Sequence, residues 1–290
     1  MAEKKEQELK AVLTEDLKEE LENVTVNLKK IYSRLSESFD SMNNFKNQIK
    51  DDEDAAPLVE ALQEIQIFRE RLDEAFFPVV ELSQSLRIAD MMGQEEYVYF
   101  DRIKLNLSEN ILQSDNIEEA LRLYIEEDAY MHADKIIQGC KKELQIDKYK
   151  GNVFKQAVSA YENEEYDLAV IGFIAMVDGL LSDVSKDQAT TQIGRRAKKI
   201  LDKLEKKSPI VSDEYAYLTM LVSFEKAFYV LQLYSDFEKE EPDNLNRHWI
   251  MHGRSTRKKT KLDCIKVIRM IYGILFIKKI EKEDGKSFSD

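Results

Sequence analysis

From Leu9 to Ile49 an apolar residue falls at every third or fourth position: Leu9, Leu13, Leu17, Leu21, Val24, Leu28, Ile31, Leu35, Phe39, Met42, Phe45 and Ile49, with no glycine or proline between them. The mean step is about 3.6 residues, the period of one face of an α-helix. A left-handed coiled coil would hold about 3.5, so the spacing predicts a nearly straight amphipathic helix rather than an extended two-stranded coil. Such a helix must bury its stripe against something. The acidic, proline-bearing break DDEDAAP resets the chain, and Leu58, Leu62, Ile65, Phe68, Leu72, Phe76 and Val79 begin a second stripe. Two long helices folded back on one another, an αα-hairpin, are the expectation, with Pro78 kinking or dividing the second.

The rest of the chain reads the same way. Nine glycines and four prolines in 290 residues leave too little punctuation for many short strands. The fold class is therefore all-α. A helical stretch through NIEEALRLYIEEDAYMHADKIIQGCKKEL leads to a soft domain boundary near IDKYKG, dividing residues 1–147, a regulatory, sensor or oligomerisation region, from residues 148–290. The second part reads as a helical bundle: two helices with a turn near ENEEY, two more from TTQIGRRAKKILDKLEKK and DEYAYLTMLVSFEKAFYVLQLYSDF, a short one in PDNLNRHWIMHG capped by Asp243 or Asn244 and stopped at Gly253, and a last one near residues 261–280 with Leu262, Ile265, Ile268, Tyr272, Leu275 and Ile280 inward.

A net charge of −13 argues against general wrapping of nucleic acid. Any such contact must be local. Cys140 and Cys264, far apart and without a C-x-x-C partner, suit reduced thiols. The N-terminus lacks an apolar signal core, and the longest apolar run near the end, VIRMIYGILFI, is shorter than the roughly 20 residues a spanning helix needs. The expectation is a cytoplasmic protein with no membrane partner.

Against this acidic background, residues 242–259, PDNLNRHWIMHGRSTRKK, hold two of the three histidines, the single tryptophan and a burst of positive charge. On a helix His248 and His252 share a face, whereas Arg247 lies about 140° from His252, so it reaches the same site only if the helix bends or the side chain wraps. A guanidinium that grips two phosphate oxygens, beside imidazoles that move protons near neutral pH, suits a phosphodiester. From Pro242 to Met270 eight basic residues (Arg247, Arg254, Arg257, Lys258, Lys259, Lys261, Lys266 and Arg269) face two acidic ones (Asp243 and Asp263), a local basic footprint. Asn246, Arg254, Arg257, Lys258, Lys259 and Lys261 are the expected RNA contacts. The two histidines could also bind zinc, but no third ligand of the H-E-x-x-H type follows them. Trp249, Ile250 and Met251 are expected in the core or at a dimer contact, Tyr215, Tyr217, Tyr229 and Tyr234 are expected to pack in the bundle, and His132 is read as structural.

NRHWIMHG ahead of a final amphipathic helix resembles the R-x4–6-H signature of the HEPN superfamily, and YDLAVIGFIAMVDGLLSD resembles that family's early helix, which ends in an acidic residue and a Gly-Leu-Leu run. The resemblance covers roughly residues 150–282. It implies a helical bundle that dimerises with its motifs facing each other and, in active members, a metal-independent ribonuclease, often in phage defence or toxin systems. By position, Arg247 and His252 match the catalytic pair, His248 the polar residue after the arginine, and Asp178 an acidic residue that orients the site. The resulting expectation is an endoribonuclease, an antiphage, abortive-infection or toxin-like effector working without cofactors on RNA, as a homodimer or higher homo-oligomer with a possible regulatory protein partner. The alternative is a non-catalytic HEPN-like protein that binds RNA, nucleotide or a protein partner.

Overall fold

The computed structural model describes residues 27, 30–50, 55–101, 103–145, 147–186, 193–205, 214–233 and 237–286. Among these the fold is all-α, with no strand. Helix α1 covers residues 30–49. It is followed by α2 (Ala56–Gln94), α3 (Leu105–Leu112), α4 (Ile117–Leu144), α5 (Lys148–Glu162), α6 (Tyr166–Ser185), α7 (Ile193–Glu205), α8 (Glu214–Leu231), α9 (Arg247–Met251) and α10 (Lys261–Lys286). The members of the first stripe before Ile31 lie outside the described residues, as do Tyr234 and the start of the segment that yields α7.

The described residues up to Gln84 make one compact unit and those from Ser85 onward another. Within the first, α1 and α2 run antiparallel: Tyr32 stacks on Phe76 with ring centroids 4.5 Å apart, Arg69 donates to Asp40 at 2.7 Å, and Lys46 donates to Gln66 at 3.4 Å. Pro78 does not divide α2, which is helical throughout Ala56–Gln94. Proline removes a single N–H, and the remaining hydrogen bonds of a 39-residue helix carry the backbone past it.

In the second unit α6 is the centre. Its sequence is apolar nearly all round, which suits a helix covered on every side, and Ala169, Val170, Phe173, Ile174, Val177, Leu180 and Leu181 are fully buried. By length and composition it is the one helix among the described residues that could cross a membrane, yet it packs inside against α5, α7, α9 and α10. Gly172 sets how closely α5 approaches, because a Cβ there would stand 2.8 Å from the Ala157 Cβ. Helix α10 is the second core element, packed on α4, α6 and α8. The expected boundary near residue 148 therefore falls inside this unit, since α4 is held by α10, more than a hundred residues downstream. Of the expected inward residues of α10, Ile265, Ile268, Leu275 and Ile280 are buried and Leu262 and Tyr272 partly so, but Asp263 to Ile271 are buried without a break.

That continuous burial takes Lys266 and Arg269 inside. After α2 the chain turns through Glu96, at φ +61°, and continues outside any helix through Tyr97, Val98 and Tyr99, all buried. The Tyr97 N–H donates to the Met92 carbonyl at 2.9 Å, and side chains satisfy further groups of the segment, as buried amides and carbonyls require. The Tyr99 N–H donates to Ser223 Oγ at 3.0 Å, and Arg269 Nε donates to the Val98 carbonyl at 2.7 Å. Arg269 also sits 4.2 Å from the Tyr97 ring centroid and 3.1 Å from Asp128, whose carboxylate accepts the Tyr97 hydroxyl. His132, one turn beyond Asp128, lies 3.5 Å from the same carboxylate. Cys140 and Cys264 are free and buried, and burial pushes the Cys264 thiol up to about 12.

Candidate functional site

The site is built on a helix of five residues. Asn246, and not Asp243 or Asn244, caps α9: its side chain accepts from the His248 and Trp249 amides at 3.0 and 3.3 Å and donates to the Leu233 carbonyl at 2.8 Å. At 2% exposure Asn246 ties α9 to the end of α8. Burial removes it from the expected RNA contacts. The helix stops after Met251, where the His252 amide still donates to the His248 carbonyl at 3.1 Å, and Gly253 reverses the chain at φ +66°, a conformation that costs a glycine nothing. Trp249 and Ile250 are buried and Met251 is exposed.

Short as it is, α9 presents its polar side chains as one group. The imidazoles of His248 and His252 lie parallel, 4° between planes and 6.3 Å between centroids. Arg247 turns to α6, where its Nε donates to one Asp178 oxygen at 3.0 Å and its Nη2 donates to the same oxygen. Arg247 is thus fixed on Asp178 of α6, while His248 and His252 lie parallel to each other. Burial lowers the His248 pKa below the usual imidazole value, helped by the Arg247 charge and by His252, while Asp178 opposes them.

Two members of the group carried no sequence signal. Arg196 of α7, 8% exposed, brings Nη1 to 3.8 Å from the second Asp178 oxygen and donates to the Asp178 carbonyl at 3.4 Å, so one carboxylate holds two guanidinium groups. That second oxygen accepts no hydrogen bond. Phe237 meets Trp249 and His252 edge-on at 5.4 and 5.7 Å, and the Arg254 guanidinium covers its ring at 4.7 Å. Helical periodicity could not have found Phe237, which lies outside any helix, and Arg196 is one of several basic residues in IGRRAKK.

The basic run after α9 is more ordered than a solvated loop. Glu241 gathers it: one oxygen accepts from Ser255, the other from the Thr256 and Arg257 amides at 2.6 and 3.1 Å and from the Thr256 hydroxyl at 3.0 Å. Burial alone would raise this carboxyl, but the Ser255, Thr256 and Arg257 donors outweigh it and hold its pKa at about 2. Lys259, 7% exposed, donates to Ser255 and, at 3.0 Å, to the Arg257 carbonyl, and sits 3.6 Å from Glu241. Arg257 pairs with Asp263 at 3.1 Å, and Asp263 also accepts from the Thr260 amide at 2.8 Å at the start of α10. The expected surface set therefore separates. Lys259 is structural, Arg257 is half-buried in an ion pair, and Arg254, Lys258 and Lys261 are exposed. Lys266, 3.5 Å from Glu96, and Arg269, against Asp128, are interior and add nothing to a surface patch.

No set of three histidine, cysteine, aspartate or glutamate side chains gathers as a metal-ligand group among the described residues, so the His248 and His252 pair lacks a third protein ligand there. Comparison with known proteins gives no match: no family model, no curated protein and no solved structure is similar to this chain.

Proposed function

We propose that the chain is a metal-independent endoribonuclease of HEPN type, with Arg247, His248 and His252 acting on an RNA phosphodiester and Asp178 and Arg196 positioning the arginine. The observation that carries this reading is the Asp178 to Arg247 pair beside parallel imidazoles, a fixed cation next to two proton-transfer groups. The 2′-hydroxyl attacks the adjacent phosphorus and the bond from phosphorus to the 5′ oxygen breaks, giving a 2′,3′-cyclic phosphate and a free 5′-hydroxyl. His248, its pKa lowered, is the imidazole suited to take the 2′-hydroxyl proton. His252, exposed at the end of α9, delivers a proton to the departing 5′ oxygen. Arg247 offsets the charge that builds on the phosphorus oxygens. Arg254, Lys258 and Lys261 supply the local attraction for the RNA backbone that the acidic remainder lacks. In this reading the effector works as a homodimer in antiphage or toxin-like defence, and the region before the second unit regulates it.

The test is cleavage of a mixed RNA pool in excess EDTA, wild type beside His252→Ala, with the product ends analysed. Loss of one proton-transfer group should slow cleavage roughly 10²- to 10⁴-fold. Cyclic phosphate ends from the wild type alone are the expected result. Equal cleavage by the variant sinks the assignment, and RNA binding without cleavage by either protein would favour the non-catalytic alternative.

A further inference from the structure

At the junction of α4, α5, α6 and α10, away from the arginine and histidine group, lies a cleft of about 610 Å³. Its size is that of a small-molecule site. Its floor is apolar, made by Leu144, Leu180 and Leu275, each less than 5% exposed. Its walls are basic in a chain of net charge −13: Lys148 and Lys150 come from the start of α5, and Lys278 and Lys279 from α10, one turn beyond Leu275. Lys150 is held between Asp147 at 3.0 Å and Asp183 at 2.8 Å, which fixes that wall and offsets its charge. Among the described lining residues, Lys148 and Lys278 then face one carboxylate outside that network, Glu143. Tyr149, 78% exposed, stands at the rim with its ring open to stacking.

We infer that this cleft binds a small organic phosphate, with its phosphate groups on Lys148 and Lys278 and its apolar or aromatic body against Leu144, Leu180, Leu275 and Tyr149. A basic wall suits an anion, and compact cationic points suit phosphate oxygens. A bare ion would leave the leucine floor and Tyr149 unused. A polyanion is disfavoured by the bounded volume and by the chain's net charge of −13. The cleft is also separate from the site of Arg247: Asp178 and Leu180 are two positions apart on α6 and so point about 200° apart around its axis.

Calorimetric titration of the full chain with ADP, geranyl diphosphate and inorganic pyrophosphate tests this, the first two carrying an aromatic and an aliphatic body on the same diphosphate. Saturable binding of either organic diphosphate, at least about tenfold tighter than pyrophosphate, is expected. Which of the two binds tells whether Tyr149 or the leucine floor dominates. Lys148→Ala combined with Lys278→Ala should weaken that binding about tenfold or more while leaving the helical circular dichroism unchanged, because Lys148 is exposed and Lys278 only half-buried. Arg247→Ala should leave it intact. Failure of both organic ligands to bind, pyrophosphate binding as tightly as they do, or loss of binding in Arg247→Ala would each overturn the inference. None of these outcomes bears on RNA cleavage by the α9 site, which the assay in EDTA reads separately.

Discussion

Asp178 governs how Arg247 can act, because a single carboxylate oxygen receives two of its N–H donors while Arg196 stands on the other side. Replacing it with Asn keeps the shape and removes the charge that balances two guanidinium groups. Asp178→Asn should cost about 1–3 kcal/mol of stability by chemical denaturation. It should also reduce RNA cleavage about tenfold or more, as Arg247 loses its fixed direction. A variant as stable and as active as wild type would remove Asp178 from the site. The lowered His248 pKa gives a second expectation. Folded His248 holds its proton less firmly than the unfolded imidazole at about 6.5, so its contribution to stability is lost as pH falls below that value. In the proposed mechanism the same shift keeps His248 neutral as the base, so the acid limb of the cleavage rate should lie below pH 6.5; a limb above it would assign the base elsewhere. That Arg247, His248 and His252 lie together follows from their closeness in sequence, whereas the contact of Asp178 with Arg247, 69 positions apart, is made only by the fold. Asn246 and Lys259 were misread, since spacing gives no sign that one caps a helix and the other is folded under its own loop.

The elements around the site owe their order to carboxylates whose roles only the folded chain reveals. Glu241 joins the segment before α9 to the segment after it through Ser255, Thr256 and Arg257. Its pKa of about 2 lies below the ordinary 4.5, so its stabilisation is present above about pH 4.5 and is lost as pH falls toward 2. Glu241→Gln keeps one acceptor oxygen but loses the charge, and should raise amide hydrogen exchange across residues 254–260 at neutral pH while α6 stays protected. Exchange unchanged in that segment would mean that the Thr260 and Asp263 cap holds it alone. Helix α6 poses the complementary case, in which apolar composition announces burial before any contact is known. Gly172→Val would drive a branched side chain into Ala157, and a loss of about 1–3 kcal/mol in denaturant unfolding is expected; no loss would mean that α5 and α6 can separate freely. Helix α10 was harder to read, because its charges at Lys266 and Arg269 suggested a wet face. They are interior because Glu96, Asp128 and the Val98 carbonyl, contributed by the segment after α2 and by α4, receive them.

At the scale of the molecule, the all-α fold follows from the shortage of glycine and proline, but the grouping of helices does not, since it rests on contacts such as α4 against α10 that periodicity cannot encode. Buried charge then couples the fold to pH. Glu96 is 2% exposed, its Oε1 accepts no hydrogen bond, and Lys266 stands 3.5 Å from its other oxygen. Burial raises its pKa from 4.5 to about 7, with Asp263 adding to the rise and Lys266 opposing it. The folded chain therefore binds more protons at this residue than the unfolded chain between about pH 4.5 and 7, and this contribution declines as pH rises through that window. The decline is on the order of 3 kcal/mol at most. It runs against the His248 effect below pH 6.5, so wild type alone does not separate the two. Glu96→Gln does, because it removes one titration and leaves the other. Urea unfolding of both proteins from about pH 4.5 to 8 should show the variant losing less stability on the way up, and parallel curves would mean that Glu96 reaches water and titrates as an ordinary carboxyl.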